Sequence, residues 1–251
     1  MKHDEIVLVA DFGGGTSDFT ILKLTQKEFQ PGDVLSVGGV PLAGDALDGA
    51  LMQERVAKHF GSEVSYQVPM SSNILSMPKG LMGCLYSTAH IAFLNSRENR
   101  DFLRQVESWA LKNEDKKVMS QLQILLENQL GFSIFEAIEK AKKEISLKEK
   151  TFIHFEYPGV SIKEALTQKN FEKDTLPIIS KINKAMDETL KRAQVKAEDI
   201  DRICLTGGSA KVGLIQSELK LRFGSSKIES FRNFTSIVEG LSERAQQLLK
   251  S

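Results

Sequence analysis

Residues 6–24, IVLVADFGGGTSDFTILKL, constrain the fold more than any other stretch of the chain. β-Branched and apolar residues fill both arms, Ile6, Val7 and Val9 before the glycines Gly13, Gly14 and Gly15, and Phe19, Ile21 and Leu22 after them. That pattern predicts two buried strands joined by a tight turn. Asp11 and Asp18 put one acid on each arm at the turn end. Glycine permits φ > 0 and carries no Cβ, so backbone N–H groups of such a turn can wrap an anion. Carboxylates repel phosphate unless a cation lies between them, so the pairing implies Mg2+ held through water. On these residues alone, a plain hairpin with solvated aspartates is an equal reading. A dinucleotide or P-loop site is excluded, because residues 17–24 continue as a strand and no G-K-[ST] follows. The Asp-Phe-Gly triplet has no H-R-D or A-P-E companion, which excludes a protein kinase.

At 251 residues, 41 % hydrophobic and 26 % charged, there is chain enough for one large or two small domains. Lys+Arg and Asp+Glu both number 33, so nothing points to nucleic acid or an anionic membrane as partner. The longest apolar run near the start, residues 6–10, is too short for a signal segment or a membrane span, and a cytoplasmic location is expected. Cys84 and Cys204 lie far apart, each in an apolar stretch, and are expected in the core rather than in a bridge or metal site.

Residues 29–37 supply a third strand, interrupted by a turn at Pro31-Gly32-Asp33. A helix follows, with Gly44, Asp45 and Asp48 at its start read as capping, and Leu47, Leu51 and Ala57 or Lys58 facing the sheet. From Gly61 to Gly131 short packed helices are expected with their own small core, Phe93 and Trp109 within it. Residues 133–146 predict an amphipathic helix: Ile134, Phe135, Ile138, Ala141 and Ile145 form its apolar stripe, and Glu139, Lys142, Lys143 and Ser146 a solvated face. A hairpin over 152–162 turns at Pro158-Gly159, and Thr167 caps a helix that Pro177 should kink or restart. Residues 202–223 then read as strand, Gly207-Gly208-Ser209 turn and helix, an order that lets backbone and helix-end N–H groups approach a bound group. A short strand at 228–231 and a helix at 235–249 close the chain.

Together these motifs resemble the nucleotide-binding domain of the heat-shock-70 (DnaK-type) chaperones, within the actin and sugar-kinase superfamily. Asp11, Gly13, Gly14, Gly15, Thr16 and Asp18 match the family's second phosphate motif position by position. Gly207, Gly208, Ser209, Ala210 and Lys211 match its adenosine motif, although Lys211 replaces the usual arginine, whose planar guanidinium stacks better on a purine. Glu139, Ala141, Lys142, Lys143 and Ser146 look like the family helix that lines adenine and ribose, and Leu42, Gly44, Asp45 and Asp48 look like its entry to the first helix. The segment 77–131 looks most like the YegD-like bacterial branch of the family.

The resemblance implies an α/β fold, an actin-like ATPase lobe of ribonuclease-H-like type. Its core would be residues 1–60 and 163–251, with an inserted mostly helical subdomain at 61–162. It implies ATP or ADP with Mg2+: Asp11 and Asp18 would order the metal's waters, and Asp11 and Thr16 would serve catalysis. Gly13, Gly14, Gly15 and Gly44 would then take phosphate, and Gly207, Gly208, Ser209, Lys211, Glu139, Lys142, Lys143 and Ser146 the adenosine. It also implies a second lobe without the first lobe and peptide-binding domain of the family, so negligible turnover alone is expected. The expected partners are nucleotide, the missing first lobe, and a co-chaperone or exchange factor on the inserted subdomain. The alternatives are a docking module without nucleotide binding of its own, or a lobe of a small-molecule kinase.

Overall fold

A computed structural model describes residues 4–25 and 29–230, together with Ser242 and Gln246. The helix expected at 235–249 lies outside the described residues. Strands β1 (Glu5–Phe12) and β2 (Ser17–Leu24) are the two arms of the glycine hairpin, antiparallel from Glu5↔Leu24 to Phe12↔Ser17. A 3₁₀ turn at Pro31–Asp33 leads into β3 (Val34–Val40), which pairs antiparallel with β2. Helix α1 (Gly44–Leu51) ends sooner than its apolar spacing predicts, giving way to a π-helical turn at Met52–Val56 and a 3₁₀ turn at Ala57–Phe60. Leu47, Leu51 and Ala57 are nonetheless fully buried.

The hairpin β4 (Ser65–Gln67) and β5 (Ile74–Ser76) went unforeseen, because three-residue strands are too short to show a period of two. After α2 (Lys79–Gly83) come α3 (Arg97–Trp109), α4 (Asn113–Glu127) and α5 (Gly131–Ile145), each where the helical spacing places it. Strands β6 (Lys150–Tyr157) and β7 (Val160–Thr167) form the expected hairpin. Thr167 caps α6 (Gln168–Arg192), its Oγ1 accepting from the Asn170 N–H at 3.2 Å. Of the two outcomes expected at Pro177, a fresh helix start does not occur, since α6 is continuous through it. Proline removes one backbone bond, but Phe171 before it and Ile179 and Ile182 after it are buried and hold the helix in place. The described chain ends with β8 (Arg202–Thr206), α7 (Gly213–Phe223) and β9 (Ile228–Ser230).

The chain divides into two compact units, one of residues 1–44 and 177–251 and one of residues 45–176. The first holds a five-stranded mixed sheet in the order β3-β2-β1-β8-β9, with β8 parallel to β1 and to β9. Alternation sends Leu8, Ala10, Phe12, Phe19, Ile21 and Leu205 to one buried face. There Phe12 meets Phe19 edge-on at 5.8 Å and shares a small hollow with Ile179 and Ile182 of α6 and Ile215 and Leu219 of α7. Burying each such side chain stabilises the unit by roughly 1.5–3 kcal/mol.

The second unit packs helices with two small hairpins. The α5 stripe of Ile134, Ile138, Ala141 and Ile145 is buried, as are Ile153, Ile162 and Leu166 of the β6–β7 hairpin. Trp109 is half-buried and stacks on Tyr66 at 6.3 Å. Phe93, expected in the core, is 63 % exposed. It lies in a 3₁₀ stretch, Ile91–Asn95, where the 3.6-residue period fails and the neighbouring Leu94 takes the core position. Cys84 and Cys204 are free thiols, partly exposed rather than fully buried, and burial still pushes the Cys204 thiol up. Among the described residues no helix is long and apolar enough to cross a membrane.

Candidate functional site

The register of β1 on β2 sets Asp11 directly opposite Asp18. Like charges in that position oppose pairing; burial first, and Asp18 second, raise the Asp11 carboxyl above its ordinary value. The turn is closed by the Gly13 N–H donating to the Thr16 carbonyl at 2.9 Å, and the Thr16 hydroxyl donates to Asp18 Oδ2 at 2.7 Å. Gly14, Gly15 and Thr16 are exposed. The expected left-handed turn is corrected: among the described residues only Gly61, Gly159, Gly207 and Gly224 are positive-φ glycines. No atom lies within 4 Å of where a Cβ on Gly15 would stand. Glycine here supplies bare backbone facing solvent, not an unusual backbone angle.

Parallel pairing sets Thr206 opposite Asp11, so the turn after β8 lands on the hairpin. Gly207 takes φ +86°, and a Cβ there would overlap the Phe12 carbonyl oxygen and stand 2.5 Å from Asp11 Oδ1. Only glycine satisfies both conditions. Buried Ser209 donates to the Gly13 carbonyl at 2.7 Å, and the Gly44 N–H approaches the same oxygen at 3.4 Å. Two motifs 196 residues apart are thereby tied at one carbonyl. The helix does not open directly from the glycine turn. A 3₁₀ turn, Gly208–Lys211, comes first and α7 begins at Gly213, because the Ser209 tie holds the chain down and its carbonyl accepts from the Val212 N–H at 3.0 Å. Lys211 is exposed.

Gly39 belongs to this site and went unnoticed. It stands opposite Asp18, and a Cβ there would be 2.6 Å from Asp18 Oδ1. The glycine pair Gly38-Gly39, ending a strand beside an acidic turn, was the available clue.

In the second unit, α5 carries the other expected residues. Lys143 and Glu139 pair one turn apart at 2.8 Å, both outside the core, and the Lys143 hydrogen bond holds the Glu139 carboxyl below its ordinary value. The Ser146 hydroxyl donates to the Lys142 carbonyl at 3.1 Å. Lys142 itself is not on a solvated face: it is 5 % exposed, and its Nζ donates to Asp48 Oδ2 of α1 at 2.6 Å. The helix wheel held the clue, since Lys142 is four residues after Ile138 and three before Ile145, on the apolar stripe. Asp48 is likewise no cap, because it sits in the second turn of α1, past the orphan N–H groups, whereas exposed Asp45 occupies the first turn. Burial pushes the Asp48 carboxyl up to about 6 despite the attraction of Lys142.

For a metal, Asp11 and Asp18 offer hard oxygen donors but no cage, and no group of three or more His, Cys, Asp or Glu fit to hold an ion occurs among the described residues. A pair of this kind fits a cation that keeps its water shell, as Mg2+ does.

A family model described as Hsp70 protein matches residues 99–239. The sequence is 27 % identical over 227 residues to the chaperone protein DnaK of Thermosipho melanesiensis, covering 88 % of this chain and 28 % of the relative. Against DnaK of Deinococcus proteolyticus it is 23 % identical over 252 residues, covering 97 % and 31 %. A shorter match, 33 % over 90 residues, covers 35 % of this chain and 14 % of the mitochondrial iron-sulfur cluster biogenesis chaperone of Saccharomyces cerevisiae. The chain thus spans about three tenths of the length of these DnaK relatives.

Proposed function

Because this chain belongs to the Hsp70 family, we propose that it is a nucleotide-binding part of a chaperone ATPase, folded as an actin-type, ribonuclease-H-like lobe. We draw its core as residues 1–60 and 163–251 and its inserted helical part as 61–162, bounds wider for the core than the compact unit of 1–44 and 177–251. One observation carries the reading: two glycine turns remote in sequence converge on the Gly13 carbonyl, beside two facing carboxylates. Phosphoryl transfer depends mostly on positioning and charge stabilisation, and this arrangement offers both. The exposed backbone of Gly14, Gly15 and Thr16, with half-buried Gly13 closing the turn, takes the β- and γ-phosphates of ATP or ADP, with Gly44 bonded to the Gly13 carbonyl. Asp11 and Asp18 would hold Mg2+ through its waters, and the ion would neutralise phosphate charge. Thr16 orients Asp18 through its hydroxyl. In the first unit Gly207, Gly208, Ser209 and Lys211 serve the adenosine; in the second, Glu139 and Lys143 of α5 with Ser146 after it are the residues that the family resemblance assigns to adenine and ribose.

Calorimetric titration with Mg-ADP and Mg-ATP tests this. Saturable binding by the parent and a loss of tenfold or more in Asp11→Ala, roughly 1.4 kcal/mol or more, are expected. Parental affinity in Asp11→Ala, or no binding at millimolar nucleotide, would reject the site.

A second reading adds a docking face on the second unit, where the exposed Phe152 ring lies between the Lys150 and Lys163 ammonium groups at 5.3 and 5.2 Å. Such an aromatic, cationic face suits a protein partner of the exchange-factor kind. Phe152→Asp should abolish capture of an exchange factor while Mg-ADP affinity stays at the parental value; capture unchanged would remove the face from consideration.

A further inference from the structure

We infer that the β4–β5 hairpin of the second unit is a self-association edge, on which two copies of this chain join β5 to β5 antiparallel about Leu75. The inference goes beyond the nucleotide-binding reading and does not depend on it. Among the described residues β5 pairs only with β4, and Ile74, Leu75 and Ser76 are all exposed. Leu75 pairs with Tyr66, and the Met77 N–H donates to the Val64 carbonyl at 3.1 Å. Antiparallel bonding alternates along a strand, so Leu75 and Met77 turn their backbone groups to β4 while Ile74 and Ser76 turn theirs to the open side. An open row of this kind is ready to pair with another strand.

The turn of the hairpin presents an apolar tip at a conformational cost. The Ser71 N–H donates to the Val68 carbonyl at 3.0 Å across Pro69 and Met70, and Met70 takes φ +65°. This is a type II turn, whose third position favours glycine. Methionine there is strained, and its side chain is fully exposed. Gln67 Nε2 donates to the Ser71 carbonyl at 2.6 Å and the Asn73 N–H to the Ser71 hydroxyl at 3.1 Å, so the turn is held in this shape. Met70, Ile74 and Leu75 thus put three exposed apolar side chains on one small hairpin.

Charge and symmetry select the occupant. Residues 64–78 hold no Asp, Glu, Lys, Arg or His, so an acidic or basic segment meets no counter-charge there. A second copy meets no like charge. A twofold axis at Leu75 sets Ile74 of each copy opposite Ser76 of the other, which satisfies the open N–H and C=O groups of both strands. The two-stranded sheet, marginal by itself in water, becomes four-stranded. On the far side of β4, Tyr66 is bridged to Ala110 and the Ser65 carbonyl accepts from the Leu111 N–H at 3.4 Å, so assembly stops at the dimer.

Sedimentation equilibrium of this chain from about 1 µM to about 1 mM tests the edge. A reversible monomer–dimer equilibrium is expected, with a dissociation constant of roughly 10 µM to 1 mM, because so short an edge buries little area. Ile74→Lys brings a charge to the edge in each copy, and Ser76→Pro deletes an open N–H without removing a bond to β4. Each should weaken the dimer about tenfold or more while the melting temperature stays within about 2 °C of the parent. Where a variant fails to fold, amide exchange in the parent decides: Ile74 and Ser76 should slow about tenfold between dilute and concentrated protein, and Leu75, already bonded to Tyr66, much less. A parent still monomeric at about 1 mM, a dimer unchanged in both variants, growth beyond the dimer, or Ile74 and Ser76 exchange that ignores concentration would each overturn the inference. So would a monomeric parent whose β5 is saturated by an uncharged extended peptide, since the occupant would then be a foreign strand.

Discussion

The glycine hairpin of the first unit and the α5 face of the second solve opposite problems. The hairpin keeps two like charges, Asp11 and Asp18, face to face at an open turn, and its functional groups are exposed backbone. The α5 face buries unlike charges, Lys142 and Asp48, and leaves a second pair, Glu139 and Lys143, outside. In the first case the fold tolerates repulsion that a bound cation would relieve. In the second it offsets the desolvation of each buried charge with the other, Lys142 against Asp48 at 2.6 Å. The two regions therefore respond differently to truncation: neutralising a carboxylate of the hairpin should help the fold, whereas truncating Lys142 should harm it by leaving the Asp48 carboxylate buried alone.

The largest effect that would sharpen this contrast is on the buried ion pair. Lys142→Met alone strands a buried carboxylate and should cost about 3–5 kcal/mol, whereas the apolar double variant should unfold at or above the parental midpoint. Urea denaturation reads both, and equal destabilisation of single and double variants would show that packing, not charge, is at stake.

Next in size is Gly207→Ala, in which the new methyl meets the Phe12 carbonyl at a positive φ. It should cost about 2–3 kcal/mol, with a melting temperature lower by roughly 4–12 °C. Gly15→Ala is its counterpart: the site is open, so stability should change by less than about 0.5 kcal/mol while Mg-ADP affinity falls. A large loss of stability in Gly15→Ala would mean that the hairpin glycines are needed for folding after all.

Acid reads the buried pair by linkage. The folded-state Asp48 carboxyl, near 6, lies above its ordinary 3.8. The native state then holds more protons in that window, so the Asp48 contribution to stability grows as pH falls through 6 and is complete below 3.8. Relative to Asp48→Asn, the parent should gain up to about 1.4 kcal/mol per pH unit on acidification across the window. A flat difference would place Asp48 in water.

The smallest effects fall on the hairpin's supports. Ser209→Ala removes the tie to Gly13 and should cost about 1 kcal/mol with a matching loss of nucleotide affinity. Asp11→Asn relieves the repulsion by Asp18 and should stabilise by a few tenths of a kcal/mol, up to about 1, even as Mg-nucleotide binding is lost. A destabilised Asp11→Asn would erase the contrast between the two regions.

Much of this was legible in the sequence because it is local. Alternation of apolar residues placed β1 and β2, helical spacing placed α3, α4 and α5, and the hydroxyl of Thr167 marked the start of α6. Where local rules failed, a neighbour remote in sequence overrode them. Packing on both sides of Pro177 keeps α6 whole, a 3₁₀ stretch turns Phe93 outward, and Ser209 inserts a 3₁₀ turn before α7.

The sequence by itself determined which residue types the chain holds at its two glycine turns and which strands and helices flank them, since propensity and periodicity act over a few residues. Only the tertiary structure decided that Gly207 must lie against Phe12, that Ser209 must reach Gly13, and that of two adjacent lysines Lys142 goes inward to Asp48 and Lys143 outward to Glu139. The physical reason is that a buried charge or a missing Cβ acquires its meaning from the atom it faces. That atom belongs to another part of the chain, whose position is fixed by sheet pairing and core packing rather than by spacing.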